Sequence, residues 1–310
     1  VNIDKSGFQW RSTFVLSLNR NKVLSLDTES ATIDKTFQVG SDKMTVTRTV
    51  VGKPIGQLYG YKVIGRFDKA EDFYYKDAEG NVKPVALPEG VTINKNGAWI
   101  GDYIFYDKNG DGVINTSDCD FIGNPQPDFT YGIGNTFSWK GFDLSIFFSG
   151  SYGNDVLNLS RKYLDDVRVN SNLLKSAANY AQIGVIDPNL PQDDYRNLYV
   201  INAADTHLPR ISASTTNANN RVSDRYVEDG SYLRLQNISL SYTLPKKLVR
   251  KIKLENVKFY VNLQNVYTWT KYDGYDPEVG SLYGDALMTG VDYGRYPSPR
   301  IYTFGVNLSL

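Results

Sequence analysis

The stretch Ile301–Leu310, IYTFGVNLSL, decides the fold. Tyr302, Phe304, Val306, Leu308 and Leu310 alternate with Thr303, Gly305, Asn307 and Ser309. A period of two sends the two sets to opposite faces of a β-strand. One face is wholly apolar. The other is small and polar.

The same alternation recurs upstream. Leu235–Leu244 sets Ile238, Leu240, Tyr242 and Leu244 against Asn237, Ser239, Ser241 and Thr243. Val257–Asn265 sets Val257, Phe259, Val261 and Leu263 against Lys258, Tyr260, Asn262 and Gln264. Phe142, Leu144, Ile146 and Phe148 share a face, with Phe147 breaking the rule on the other. Phe129, Tyr131, Ile133 and Phe137 oppose Thr130, Gly132, Gly134, Thr136 and Ser138, and near the start Phe14, Leu16 and Leu18 oppose Thr13, Ser17 and Asn19.

A soluble β-sandwich also alternates, with its apolar face toward a core. A secreted glycan-binding sandwich is therefore the alternative reading. Two details favour a membrane barrel. The polar faces are mostly Ser, Thr, Asn and Gly, where a solvated sandwich surface carries more Lys and Glu. The connections also alternate between short turns (Asn19–Lys22, Trp139–Gly141, Pro245–Asn256) and long ones (65–126, 151–229, 269–299), as on the two rims of a membrane barrel. On this reading the chain supplies about seven strands, too few to close a large barrel. Trp10, Phe14, Phe137, Phe148, Leu240, Tyr242, Phe259 and Phe304 are expected to face lipid. Arg300–Leu310 is expected to pair on one side only, with Val257–Tyr267, and Phe8–Leu18 likewise to keep an open edge.

Composition agrees. The 310 residues include 23 Tyr, 26 Gly, 14 Phe and 4 Trp, and barrels place Tyr and Trp in belts at both membrane interfaces. Formal net charge is zero, which gives no basic surface for nucleic acid. The chain starts at Val1, and its methionines are Met44 and Met288, so a fragment or processed product of a longer protein is expected, with no signal peptide in view. Within the long connections, Asp155–Tyr180 is expected to hold a short helix. Asp187–Asn220, rich in Pro, Asn, Asp and Ser, reads as irregular surface.

The sharpest motif is Asp107–Asp118, DKNGDGVINTSD. Asp107, Asn109 and Asp111 occupy positions 1, 3 and 5 of an EF-hand-type loop. Gly112 takes the sharp turn at 6, the Val113 carbonyl follows, and Asp118 closes the loop at 12. Asp in place of Glu at the last position is shorter and reaches an ion less readily. Two readings stand: a calcium site, or an Asx-rich turn that holds no metal. The cluster Asp102, Asp107, Asp111, Asp118 and Asp120 fits a cation better than a glycosidase pair, because nothing sets two carboxylates at a defined spacing about a cleft.

The run from Gly101 to Asn158 (GDYIFYDKNGDGVINTSDCDFIGNPQPDFTYGIGNTFSWKGFDLSIFFSGSYGNDVLN) resembles the SusC/RagA family of TonB-dependent outer-membrane transporters. So do VGKPIGQLYGYKVIGRF (Val51–Phe67), YVEDGSYLRLQNISLSYTLPKKL (Tyr226–Leu248), NVKFYVNLQNVYTWTKYDGYDPEV and the terminal PSPRIYTFGVNLSL. Leu310 departs from the terminal Phe of many barrel proteins. The resemblance implies an all-β fold: the C-terminal portion of a large antiparallel transmembrane β-barrel with long extracellular loops. Residues 1–310 would belong to that barrel, with the plug domain and N-terminal strands outside this sequence. It also implies residence in the cell outer membrane, a SusD-like surface lipoprotein as partner, TonB engagement through the plug, and oligosaccharide or peptide cargo.

No catalytic residues are assigned. His207 and Cys119 are the sole histidine and cysteine, so no His-rich zinc site or Cys–His dyad can be assembled. The basic run Lys246, Lys247, Arg250, Lys251 and Lys253 reads as a solvated rim.

Overall fold

The computed structural model describes residues 2–5, 7–28, 30–40, 42–168, 172–213 and 217–310. Its main element is one antiparallel sheet of seven strands: β1 (Ile3–Lys5), β2 (Phe8–Ser17), β3 (Phe129–Trp139), β4 (Phe142–Tyr152), β5 (Tyr232–Thr243), β6 (Asn256–Thr270) and β7 (Ile301–Ser309). Their order in the sheet is their order in the chain, a plain meander.

Register settles which residues share a face, because directly paired residues point the same way. Phe14 pairs with Ile133, which pairs with Phe148. Trp10 pairs with Phe137, Phe137 with Leu144, Leu144 with Leu240, Leu240 with Val261 and Val261 with Phe304. Phe142, Tyr242, Phe259 and Val306 form the next row. All eight residues expected on the lipid side therefore lie on one face. Among the described residues no second sheet covers it: Phe304 is 73% exposed. The alternative sandwich is overturned by this bare face.

The face is zoned. Toward the rim of short turns, Phe142 stacks on Tyr242 at 4.3 Å. Toward the other rim, Phe129 stacks on Tyr152 at 5.1 Å and Tyr267 packs edge-on against Trp269 at 4.8 Å. Between them lie Leu144, Ile146, Ile238, Leu240, Val261 and Leu263. Two aromatic girdles flanking an aliphatic band is the surface a bilayer selects. β4 has 11 residues, and at ~3.4 Å per residue and ~45° tilt it spans roughly 25 Å of hydrocarbon.

The opposite face is polar and uses glycine to seat its few rings. Phe147 lies over Gly132, where an added Cβ would come within 3.1 Å of the ring. Tyr260 likewise covers Gly305. The exception in the alternation is thus a packed aromatic on the lumen side.

β7 pairs with β6 and with no other strand among the described residues. The sheet is open, as expected of part of a large barrel. The far edge differs slightly: β1 turns back and covers Phe8–Trp10, leaving the rest of β2 open.

One turn needs correction. Trp139–Gly141 and Pro245–Asn256 are short-rim connections, and the basic run folds there as a helical turn, Lys246–Val249. Asn19–Lys22 is not at that rim. β2 pairs with β3, so residues 18–128 make a single excursion from the opposite rim. Strands Thr32–Val39 and Asp42–Val50 alternate as wall strands do, but their buried side chains (Val39, Val46) pack into a core with Leu58, Leu157 and Tyr226. Alternation does not say whether the apolar face meets lipid or protein. Ile3–Lys5 is the seventh strand instead.

The excursions 18–128, 153–231 and 271–300 together form a cap. Val39, Leu157, Tyr226, Met288 and Val291 share one buried cluster drawn from all three. Phe67, Phe73, Trp99, Ile100, Leu198 and Val200 form another from the first two. A short helix, Leu159–Leu164, lies in the second excursion as expected. Of the two textured stretches, residues 169–171 and 214–216 lie outside the described residues.

Candidate functional site

The cap is tied together by buried charge. Asp102 is fully buried and accepts from Arg210 Nε at 2.7 Å, Arg210 Nη2 at 3.0 Å, Asn219 Nδ2 at 2.8 Å, Asn217 Nδ2 at 3.3 Å and the Trp99 amide at 2.9 Å. These bonds join the first excursion to the second. A buried carboxylate is tolerable only when its lone pairs are answered in this way. Asp102 is therefore an ion-pair hub, not a member of a cation cluster. Asp120 is likewise committed, to Lys62 at 2.9 Å and Lys108 at 3.1 Å. Partial burial opposes its ionisation, but the hydrogen bonds from Lys62, the Phe121 amide and Lys108 prevail and hold its carboxyl down at about 2.

The Asp107–Asp118 loop curls as its sequence suggests. Gly110 and Gly112 adopt φ of 74° and 82°, a region costly for other residues. Asp107 accepts from the amides of Gly110 (2.7 Å) and Gly112 (2.8 Å), and Asp111 from Val113 (2.8 Å). Asn109 accepts from the Asp111 amide at 3.1 Å and donates to its carboxylate at 2.8 Å. The Val113 carbonyl accepts from Asn115 Nδ2 at 3.4 Å. Asp118 is buried and accepts from the amides of Lys108 (3.0 Å) and Asn115 (2.7 Å). The Asx-turn bonding is thus present in full. Among the described residues, no three His, Cys, Asp or Glu side chains stand in a metal-holding group.

This loop edges a cleft of about 1090 Å³ in the cap. Asp107, Gly110 and Gly112 meet Tyr74, Tyr75, Tyr106 and His207 there. His207 is exposed, and its carbonyl accepts from Tyr103 Oη at 3.0 Å. Size and mixed lining suit a ligand larger than a single small molecule. Cys119, directly after the loop, is buried, and that burial pushes its thiol up to about 11. A thiol so protonated at neutral pH is a poor nucleophile.

Sequence reasoning missed the residues that hold the third excursion to the wall. Arg234, on the lumen face of β5, donates to Asp276, to Glu278 Oε2 at 3.0 Å and to Thr268 Oγ1 at 3.0 Å. Within that excursion, Tyr272 donates to Asp292 Oδ2 at 2.5 Å. The available signal was Arg234 itself, a charge in the Ser/Asn-rich polar face of a wall strand.

No protein-family model matches the chain. It is 32% identical, over 99% of its length, to TonB-dependent receptor P3 of Formosa agariphila, and 29% identical over its whole length to TonB-dependent receptor P26 of the same organism. It spans 27% and 28% of those two relatives, about a quarter of their length. TonB-dependent receptor SusC of Bacteroides thetaiotaomicron matches 67% of the chain at 28% identity, over 17% of its own length. Among solved structures, the RagAB peptide transporter superposes with a TM-score of 0.65 at 18% identity, covering 99% of this chain and 28% of that one. At that identity the likeness shows the fold.

Proposed function

We propose, from the premise that this chain is a wall-and-loop segment of a SusC/RagA-like TonB-dependent receptor, that the parent protein imports nutrients across the outer membrane. The observation that carries the reading is the pairing of a girdled apolar face with a folded cap at one rim. The wall strands sit in lipid, their polar face lines the lumen, and the cap stands outside, where cargo arrives. Residues 1–310 are one part of that barrel, and the plug that engages TonB belongs to the rest of the parent. A SusD-like lipoprotein is the partner proposed for the cap, since three excursions sharing cores present a continuous rather than a ragged surface. Cargo is an oligosaccharide or a peptide; the solved neighbours are described as peptide importers. The polypeptide does no chemistry on it.

Fractionation and medium depletion test this. The full-length protein should enter the outer-membrane fraction. Deleting its gene should leave one class of oligomer, oligosaccharide or peptide, unconsumed when spent medium is examined by mass spectrometry. Recovery of the protein in the soluble periplasm, or unchanged depletion of both classes, would defeat the proposal.

Calcium binding at Asp107, Asn109, Asp111, the Val113 carbonyl and Asp118 is proposed as a stabiliser of the cap. An ion bound only by the folded loop raises stability by RT ln(1 + [L]/Kd), about 2.7 kcal/mol at a hundredfold excess over Kd. Millimolar calcium should therefore raise the melting temperature of the full-length protein, and Asp111→Ala should remove the rise. No shift with calcium or chelator would leave the loop an Asx turn.

A further inference from the structure

The turn Pro245–Asn256, PKKLVRKIKLEN, joins β5 to β6 at the rim of short turns. It carries Lys246, Lys247, Arg250, Lys251 and Lys253 against the single acid Glu255. The helical turn Lys246–Val249 is continued by a tighter one, Arg250–Ile252. The Arg250 amide donates to the Lys246 carbonyl, so Arg250 stands one turn from Lys246, and Lys251 one turn from Lys247. Val249 is buried, and the spacing sends these four cations to the other flank, where all are exposed. Like charges at that spacing repel. Among the described residues, none of the five cations is in an ion pair.

Water can solvate such a turn, but solvation asks nothing of what lies beside it. Beside it is an apolar groove of about 440 Å³, running across β5, β6 and β7. Its walls are chiefly residues of the outward face: Phe142, Leu240, Tyr242, Phe259, Val261 and Phe304. It includes the girdle pair Phe142 and Tyr242, stacked at 4.3 Å. Two of the strands that wall it are the ones the turn joins. Only Thr243 and Leu244 separate Tyr242 from Pro245, and the Leu244 amide donates to the Val257 carbonyl at 2.9 Å. Lysine and arginine hold their charge at the end of a long apolar stem, so they can lie along apolar surface while the head meets a polar group. Groove and turn thus follow one another at the height where hydrocarbon gives way to headgroups.

That order restricts the ligand. A soluble anion has no use for the groove. A nucleic acid or an acidic peptide has no apolar tail to place in it. An acyl chain followed by a phosphate diester uses both parts.

We infer that this rim holds an anionic glycerophospholipid, with an acyl chain in the groove and the phosphate against Lys246, Lys247, Arg250 and Lys251. The site rests on the reading of the wall as a membrane barrel and adds a bound lipid to it. Native mass spectrometry of the full-length protein, delipidated in nonionic detergent, tests it. The probes are dioleoyl phosphatidylglycerol, dioleoyl phosphatidylcholine and glycerol 3-phosphate. Phosphatidylglycerol should bind at least about tenfold more tightly than either of the others. Lys246→Gln, Lys247→Gln, Arg250→Gln and Lys251→Gln together should bring the two lipids within about threefold of each other. Removing as many charges from the cap, by Arg20→Gln, Lys22→Gln, Lys76→Gln and Lys95→Gln, should leave the preference intact. Val261→Phe, which fills the groove, should weaken phosphatidylglycerol at least about threefold. Heat-modifiable migration on a gel reports whether each variant folds. Should the fourfold rim variant not fold, Lys246→Gln with Arg250→Gln should lower the preference by about threefold. Equal binding of the two lipids by the wild type, a preference that survives the rim substitutions or vanishes with those in the cap, wild-type affinity in Val261→Phe, or glycerol 3-phosphate binding as tightly as phosphatidylglycerol would each refute the site. Any of these results in a protein that still resides in the outer membrane and imports refutes this site alone, whereas loss of outer-membrane residence refutes the reading beneath it.

Discussion

In the wall, Leu240 and Phe259 stand about half exposed, while in the cap Val46 and Leu157 are wholly buried. Both regions contain antiparallel strands with alternating side chains. In the cap the apolar sets of different excursions face one another and make cores. In the wall they all turn the same way, onto a surface that no other described residues cover. The difference teaches that period two fixes strands but not their solvent; that is set by what lies opposite each face. It also explains where the buried charges are. The cap, with water outside and a core within, can afford ion-pair hubs such as Asp102 with Arg210, and the outward wall face carries none.

The largest expected effect breaks the cap alone. Asp102→Ala leaves the largely covered Arg210 without its carboxylate, which costs about 3–5 kcal/mol. Limited proteolysis of the full-length protein should then cut within 65–105 or 198–222 while the strands of the wall stay protected. Cleavage in both regions at once would show that the two are a single cooperative unit.

Next comes a pair of substitutions on adjacent wall residues. Leu240→Arg places a charge in the aliphatic band and should destabilise by about 2–4 kcal/mol, as at a bilayer midplane. Ser239→Arg, one residue away on the lumen face, should cost much less. Equal losses in urea unfolding from lipid vesicles would erase the distinction between the faces.

Two smaller effects sharpen the cap's description. Cys119, with its thiol raised by burial to about 11, should be alkylated by iodoacetamide at pH 8 at least about tenfold more slowly than a free thiol of pKa ~8.5. Rapid alkylation would mean that the first excursion opens readily. Asp120, held at about 2 against an ordinary 3.8, is ionised more readily folded than unfolded. Its stabilisation is therefore present above pH ~4 and lost as pH falls toward 2. Asp120→Asn should blunt the acid sensitivity of the first excursion in that window, read by tyrosine fluorescence; an unchanged acid profile would remove Asp120 from the account.

The wall was legible in sequence because a half-buried strand writes its environment residue by residue. The limit shows at Leu235. Simple alternation places it with Asn237 on the polar face, yet it pairs with Phe148 and Tyr267 on the outer one. The register shift between Leu235 and Asn237 reverses the faces, as one extra residue must. Asn19–Lys22 failed for a related reason, since a Thr32–Val50 hairpin and a wall hairpin look alike until their partners are known. The candidate site was less legible. The Asp107 loop is local, so spacing revealed its curl. Asp102 with Arg210, and Arg234 with Asp276, join residues 108 and 42 positions apart, and no spacing rule connects them.

The most direct test of the central claim is lipid access along β5. Single cysteines at residues 237–242 of the full-length protein, in a background lacking Cys119, would carry a fluorophore in vesicles whose acyl chains bear nitroxide quenchers. The account predicts strong quenching at Ile238, Leu240 and Tyr242, weak quenching with ready access to aqueous iodide at Asn237 and Ser239, and weak quenching from either side at the buried Ser241. Uniform quenching at all six positions, or strong aqueous access at Leu240, would contradict a wall whose apolar face is turned to lipid.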